Sequence, residues 1–287
     1  MLPNSLIQLK ITVLVENTAG GRGLLGEHGL SWLIEADSRR ILFDTGQGLA
    51  LPHNAKILGL SLENLDAIVL SHGHYDHTGG LTTLLEHCAN TDLFLHPKAI
   101  ASKYSPRGNI GSPIENERTL RSHFRRLIWT ETPTEVMPGV YVTGTIPRRH
   151  PLENTGGSFW HNSEHTEVDP LLDDQALYLK VPEGLVVILG CAHAGVINTL
   201  DYIAQITNTN KFYAVIGGMH LLRASNERLE ATVETFTKYD VQLIGANHCT
   251  GMKAMTFLWH QLGDLCLDCR VGTQLRFGNV KEIVTKN

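Results

Sequence analysis

An α/β fold organised as a single domain is the class this chain predicts, and three observations carry that reading. The last third alternates strand-like apolar runs with helix-length segments. Strand-like runs repeatedly end in small-residue turns that hold a histidine. The stretch 71–80, Ser-His-Gly-His-Tyr-Asp-His-Thr-Gly-Gly, sets three histidines and one aspartate within six positions directly after the apolar run 67–70. Chemistry in α/β folds collects where strands end in tight loops. A strand-then-histidine pattern that recurs four times therefore describes a sheet whose strand ends line one edge.

Taken in order, the first third reads as a β-rich layer, with strands at 9–15, 31–35, 40–43 and up to residue 70. A flexible loop (19–23) and a Gly-Gln-Gly turn (46–48) separate them, residues 55–60 end a short helix, and 81–86 start another. From 103 to 166 the texture becomes short, polar and rich in Pro, Gly, Arg and His, with weak strands at 127–129 and 140–142; this reads as an insertion or lid within one domain spanning 1–287. Beyond it come a buried strand (185–189), a helix (195–206), a strand (212–216), a helix (225–238) and a strand (241–244).

Composition narrows the class. With 42% hydrophobic and 18% charged residues the chain is an ordinary globular protein, and a formal net charge of -5 argues against a general nucleic-acid binder. The N-terminus lacks a basic region followed by a long apolar core, and no run is long enough to cross a bilayer, so a cytoplasmic location without membrane contact is the expectation. Five cysteines, an odd number without framework spacing, do not describe a disulfide-stapled domain; fifteen histidines are the oddity.

His72, His74, Asp76 and His77 are good ligands for a borderline divalent ion, and ligands at alternate positions converge from one loop. They are too many for one tetrahedral ion and too few for two. Two further histidines would complete two sites, and His193, His220 and His248 each follow a strand. A surface cluster of histidines is the bland alternative, and it leaves the preceding strand and the following Thr-Gly-Gly unexplained.

In this order of elements, an Asp after an early strand (Asp44), His-x-His-x-Asp-His, then two later histidines (His193 and His248), the chain resembles the metallo-β-lactamase superfamily over nearly its whole length. The resemblance implies an αββα sandwich with a dinuclear site at one edge. His72, His74 and His193 would hold one metal, and Asp76, His77 and His248 the other, with zinc the first choice and manganese or iron the alternatives. One departure stands out. Where many members carry a bridging aspartate, this chain offers Gly217-Gly218-Met219-His220. His220 then becomes a weak ligand, a general acid, a substrate contact or a core histidine. The segments 27–31, 43–47, 173–177, 190–195 and 248–251 are similar to a narrower branch, named for a dihydropteroate-synthase-like enzyme of methanopterin biosynthesis.

Other residues enter as candidates. Asp44 reads as accepting a hydrogen bond from a ligand histidine and fixing its tautomer. Glu27 and His28 either reach the site or form a turn with a solvated acid. Arg148, with the other arginines of 103–166, could grip an anionic substrate through the guanidinium fork, or the group could be a solvated face. Asp173 and Asp174 read equally as a loop entering a strand. The pair Cys266 and Cys269 is half of a structural metal site or a loop pair, and Cys191 and Cys249 pack beneath ligand loops.

The expected function is a metal-dependent hydrolase or transferase acting on a phosphorylated, pterin-like small molecule. It would work through water activated by two divalent ions, with Asp76 orienting the nucleophile, or through a metal-stabilised phosphate leaving group. A phosphodiesterase or nuclease and a non-catalytic metal-binding or sensor protein are the alternatives. A small anionic molecule is the expected partner, and assembly into a homo-oligomer is left open.

Overall fold

The computed structural model describes residues 5–114 and 116–278, together with the backbone of 282–285. The strands of the first half are β1 (Gln8–Val15), β2 (Ser31–Ala36), β3 (Arg39–Phe43), β4 (Ala67–Val69), β5 (Asp92–Leu95), the small hairpin β6 (Tyr104–Ser105) and β7 (Gly108–Asn109), and β8 (Arg126–Trp129). Those of the second half are β9 (Thr134–Met137), β10 (Val140–Val142), β11 (Leu177–Val181), β12 (Gly184–Leu189), β13 (Phe212–Gly218), β14 (Leu243–Asn247), β15 (Thr273–Gly278) and β16 (Glu282–Thr285). The helices are α1 (Ala50–Ile57), α2 (Tyr75–Thr78), α3 (Leu81–Leu84), α4 (Glu117–His123), α5 (Val196–Thr207), α6 (Asn226–Lys238) and α7 (Met252–Leu262).

Two sheets result, an eight-stranded one in the order β16-β15-β1-β2-β3-β4-β5-β8 and a six-stranded one in the order β14-β13-β12-β11-β10-β9. Each is part antiparallel and part parallel. The run β3-β4-β5-β8 is parallel in the first sheet, and β12-β13-β14 in the second. Parallel strands buried on both faces need continuous apolar sequence, and β12 is buried at all six positions.

The inner faces share one core, in which Ile11, Trp32, Ile34 and Phe43 of the first sheet pack with Val142, Leu179, Ile188 and Ile216 of the second. Outside the first sheet, Leu33, Ile68 and Leu93 meet Leu51 of α1 and Leu81 and Leu84 of α3. Outside the second, Val187, Val215 and Ile244 meet Leu200 of α5, Leu229 and Phe236 of α6 and Leu258 of α7. The layers are therefore helix, sheet, sheet, helix, and each such buried side chain contributes about 1.5–3 kcal/mol.

Residues 103–166 do not form one separate body. They supply β8 to the edge of the first sheet, and β9 and β10 cross to the edge of the second, so the weak strands read at 127–129 and 140–142 are sheet strands. β8 and β9 are edge strands, paired on one side only, whereas β10 pairs with β9 and β11. The part that lies over the strand ends is a loop around residues 150–160. Several elements carried too little periodicity to be read from sequence, among them the short strands β5 and β11 and the helix α7. Among the described residues no helix is long and apolar enough to cross a membrane.

Candidate metal centre

The parallel halves of both sheets end at the same edge, and the turns beyond β3, β4, β12, β13 and β14 carry Asp44, the 72–77 loop, His193, His220 and His248. Asp44, Ala192, His220 and His248 all have positive φ, between 44° and 59°. Four of the five turns, all but the one after β4, thus hold a non-glycine residue in the left-handed region, which costs about 1–3 kcal/mol and is borne by the packed strands behind it.

Within the 72–77 loop the spacing is dictated by crowding. A Cβ at Gly73 would lie 2.2 Å from the Ala99 carbonyl oxygen, so only glycine fits between the two imidazoles. Gly73 N–H donates to Asp173 Oδ2 at 2.8 Å. Asp173 is in turn held by Lys103 Nζ at 2.9 Å, and Lys103 also reaches Asp169 at 2.8 Å, all three side chains being buried. The chain then enters the single turn α2, where Thr78 N–H donates to His74 O at 3.1 Å, and this turn carries Asp76 and His77.

Asp44 is the hub beneath the loop. Its carboxylate accepts Ser71 N–H, Ser71 Oγ–H and His77 Nδ1–H, each at 2.7 Å. Because the Ser71 hydroxyl is committed to Asp44 as a donor, its oxygen accepts the Nδ1–H of His72 at 2.8 Å. His193 donates Nδ1–H to Thr155 O at 2.8 Å, and His248 donates Nδ1–H to Asn17 Oδ1 at 3.0 Å. The Asn17 amide orientation follows from its Nδ2, which donates to His248 O at 3.1 Å. Four imidazoles are thereby held as Nδ1–H tautomers, with Nε2 left to face the cavity.

These nitrogens converge in two groups. His72, His74 and His193 present ring nitrogens within 4.8 Å of one another, with His72 Nε2 2.9 Å from His74 Nδ1. His193 Nε2 is buried without a hydrogen-bond partner. In the second group His77 Nε2 and His248 Nε2 stand 3.2 Å apart, and Asp76 Oδ2 lies 3.7 Å and 3.4 Å from them. Orphaned lone pairs packed this closely repel one another unless a cation lies among them, so the donor set fits divalent metal.

The two groups differ in charge. Burial lowers the pKa of His74 to about 4, and burial with the neighbouring imidazoles holds His72 and His193 well below the ordinary histidine value, so this group is neutral. In the other, burial lowers His77 but the carboxylates of Asp44 and Asp76 override it and raise the ring to about 9. Burial pushes Asp76 up, yet His77 and His248 hold its carboxyl far below the usual range.

The remaining candidates divide. His28 is brought in, half-exposed, with Nε2 3.4 Å from Asp76 Oδ2 and its ring stacked on His248 at 5.3 Å. Glu27 is turned away, its carboxylate accepting the backbone N–H groups of Gln47, Leu49 and Ala50 at the start of α1. Arg148 donates to Leu171 O at 3.1 Å. His220 sits beside the first group, its ring 4.3 Å from His193, in a cluster with Cys191 and Cys249. Cys266 and Cys269 are free and buried in the cores.

Two contributions escaped the sequence reading. Cys191 Sγ lies 3.1 Å from His77 Nε2, within the ligand cluster and not merely beneath it, and its place two residues before His193 was the available signal. Phe159 covers the first group, its ring 5.3 Å from both His74 and His193, and nothing in its local sequence announces that.

Comparison with known proteins agrees with this geometry. Residues 25–165 match the metallo-beta-lactamase superfamily. The 7,8-dihydropterin-6-methyl-4-(β-D-ribofuranosyl)-aminobenzene-5′-phosphate synthase of Methanocaldococcus jannaschii is 32% identical over 86% of this chain and 89% of its own. A solved metal-dependent hydrolase of the β-lactamase superfamily is 31% identical and superposes with a TM-score of 0.82, covering 96% of this chain and 100% of that one. The fold extends to the zinc-bound PqqB of Methylobacterium extorquens, at a TM-score of 0.59 and 14% identity over 93% of this chain and 99% of that one. With the αββα layers, the edge of converging histidines and these relatives together, the chain belongs to the metallo-β-lactamase superfamily of metal-dependent enzymes.

Proposed function

We propose that the protein is a hydrolase or transferase acting on a phosphorylated small molecule at a dinuclear centre, zinc being the first choice of metal. The observation that carries this reading is the set of four imidazoles fixed as Nδ1–H tautomers by Ser71, Asp44, Thr155 and Asn17, with Nε2 directed inward. His72, His74 and His193 would hold one ion, and Asp76, His77 and His248 the other. Such ions would supply Lewis acidity and allow water to act as a nucleophile near neutral pH.

The chain's own groups define the rest. Asp44 fixes the His77 ring, and Lys103 with Asp173 fixes the backbone between His72 and His74. Asp76, whose Oδ2 lies 3.4 Å from both His28 Nε2 and His248 Nε2, would orient the attacking group while holding the metal. Phe159 narrows access over the first group and excludes water there. The phosphorylated substrate class is supported by the name of the 32%-identical relative, whose product contains a ribofuranosyl phosphate.

Elemental analysis of protein purified without chelator, beside a His74→Ala variant, tests the reading. About two ions per chain are expected, with one lost in the variant. A screen of pterin phosphates, phosphodiesters, lactones and thioesters follows. Metal and activity retained in the variant would overturn the assignment, and activity confined to phosphodiesters would favour the phosphodiesterase alternative.

A further inference from the structure

Among the described residues two cations, Lys103 and Arg228, are deeply buried and of opposite circumstance. Lys103 has carboxylates at 2.8 and 2.9 Å. Arg228, in the first turn of α6 and only 4% exposed, has neither its Nε nor its Nη2 bonded to any acceptor; Nη1 makes a long contact of 3.5 Å to Asn154 Oδ1. The carboxylate acting on it through space is Glu153, whose two oxygens accept Ile197 N–H and Asn198 N–H at 2.9 and 2.7 Å. Buried guanidinium donors without acceptors are costly, and such groups persist where a ligand supplies the acceptors.

Arg228 lines a cavity of about 280 Å³ together with Asn154, Thr155, Gly156, His220 and Arg223. Two guanidiniums and an imidazole face this space, and among the described residues no acidic side chain lines it. The loop bearing Gly156 is pressed against His220, since a Cβ at Gly156 would lie 1.8 Å from His220 Cδ2 and its φ is +79°. His220 in turn lies against His193, with ring centroids 4.3 Å apart, so the cavity abuts the first ligand group. Its size suits one substituent, being at or below the roughly 300 Å³ lower end for whole small-molecule sites.

The geometry points to a phosphate-recognition subsite in which Arg228 grips the terminal phosphate monoester of the substrate, with Arg223 at the rim and His220 between it and His193. This deepens the proposed function and rests on it for the identity of the reacting centre. A guanidinium fork meets two phosphate oxygens at once, and the exposed Arg223 can reach a third. The phosphate would then be a handle held beside the metal ligands, distinct from the bond that reacts.

Calorimetric titration of the metal-loaded protein with phenylphosphonate, which is not hydrolysed, and with its neutral dimethyl ester tests the subsite. The unmodified protein is expected to prefer the phosphonate. Arg228→Gln should weaken that binding at least tenfold, Arg228→Lys by less and Arg223→Gln about threefold, with metal content unchanged. Equal phosphonate affinity in Arg228→Gln, or no preference over the ester in the unmodified protein, overturns the subsite. Should Arg228→Gln fail to fold, Arg228→Lys and Arg223→Gln decide, and unchanged affinity in both overturns it. Absence of metal from the unmodified protein would refute the dinuclear reading alone, while Arg228-dependent phosphonate binding would still support the subsite.

Discussion

The two ligand groups are built from similar residues and held by different means. His72, His74 and His193 form a neutral set, supported by the buried strut Lys103–Asp173–Gly73 and covered by Phe159. Asp76, His77 and His248 form a set that includes a carboxylate, backed by Asp44 and by Glu16 Oε1, which accepts the His248 N–H at 3.0 Å. A cation entering the first set competes with few protons. In the second it competes with a proton on His77, because Asp44 and Asp76 favour positive charge there. The lesson is that identical imidazoles acquire different protonation behaviour from the groups behind them.

Substitutions can break this comparison. The largest effect is expected from His74→Ala and His248→Ala, which should each remove about one ion per chain and abolish turnover, as read by elemental analysis and activity on the same sample. Both losing all metal would show one coupled site instead of two. Lys103→Met leaves Asp169 and Asp173 buried without their cation and should destabilise the fold by about 3–5 kcal/mol in urea titration. A loss below about 1 kcal/mol would rule out the strut as a main support of the first group. Asp44→Asn should weaken metal binding at the second group about 10–100-fold and at the first, which Asp44 reaches only through Ser71, by less.

The smallest expected effect lies far from both groups. Burial pushes the Asp92 carboxyl up, but Arg125 and Arg126 outweigh it and hold it at about 2. A depressed carboxylate contributes stability above its unfolded value near 4 and loses it as pH falls towards 2. Asp92→Asn should therefore flatten the fall in melting temperature across that window without changing metal content. An unaltered acid profile would show that other carboxylates govern it.

Much of the architecture followed from local pattern. The apolar runs at 9–15, 185–189 and 212–216 are strands in the sheets, and the segments near 195–206 and 225–238 are α5 and α6. The helix starts are locally explained only in part. Ser225 caps α6 through its own hydroxyl, whereas α5 is capped by Glu153 from a distant loop, a partner that no local pattern discloses. The strands within 103–166 are hard to place for a related reason, since β8 and β9 are short edge strands that declare themselves only through the neighbours they join.

The sequence by itself determined the inventory of candidate ligands: His72, His74, Asp76 and His77 lie within one loop, so their proximity is a matter of chain length. It also determined that His193, His220 and His248 would stand at strand ends, because apolar runs bounded by small residues fix where strands stop. Only the tertiary structure decided which of these face one another. Parallel pairing of β12, β13 and β14 aligned their ends, and the packing of two sheets brought that edge against the 72–77 loop. It likewise decided that Glu27 caps a helix, that Cys191 joins the cluster, and that Arg228 is buried beside His220 with donors to spare. Residue type sets what a side chain can bind, but its partners come from chain segments tens to hundreds of residues away, and only folding brings those together.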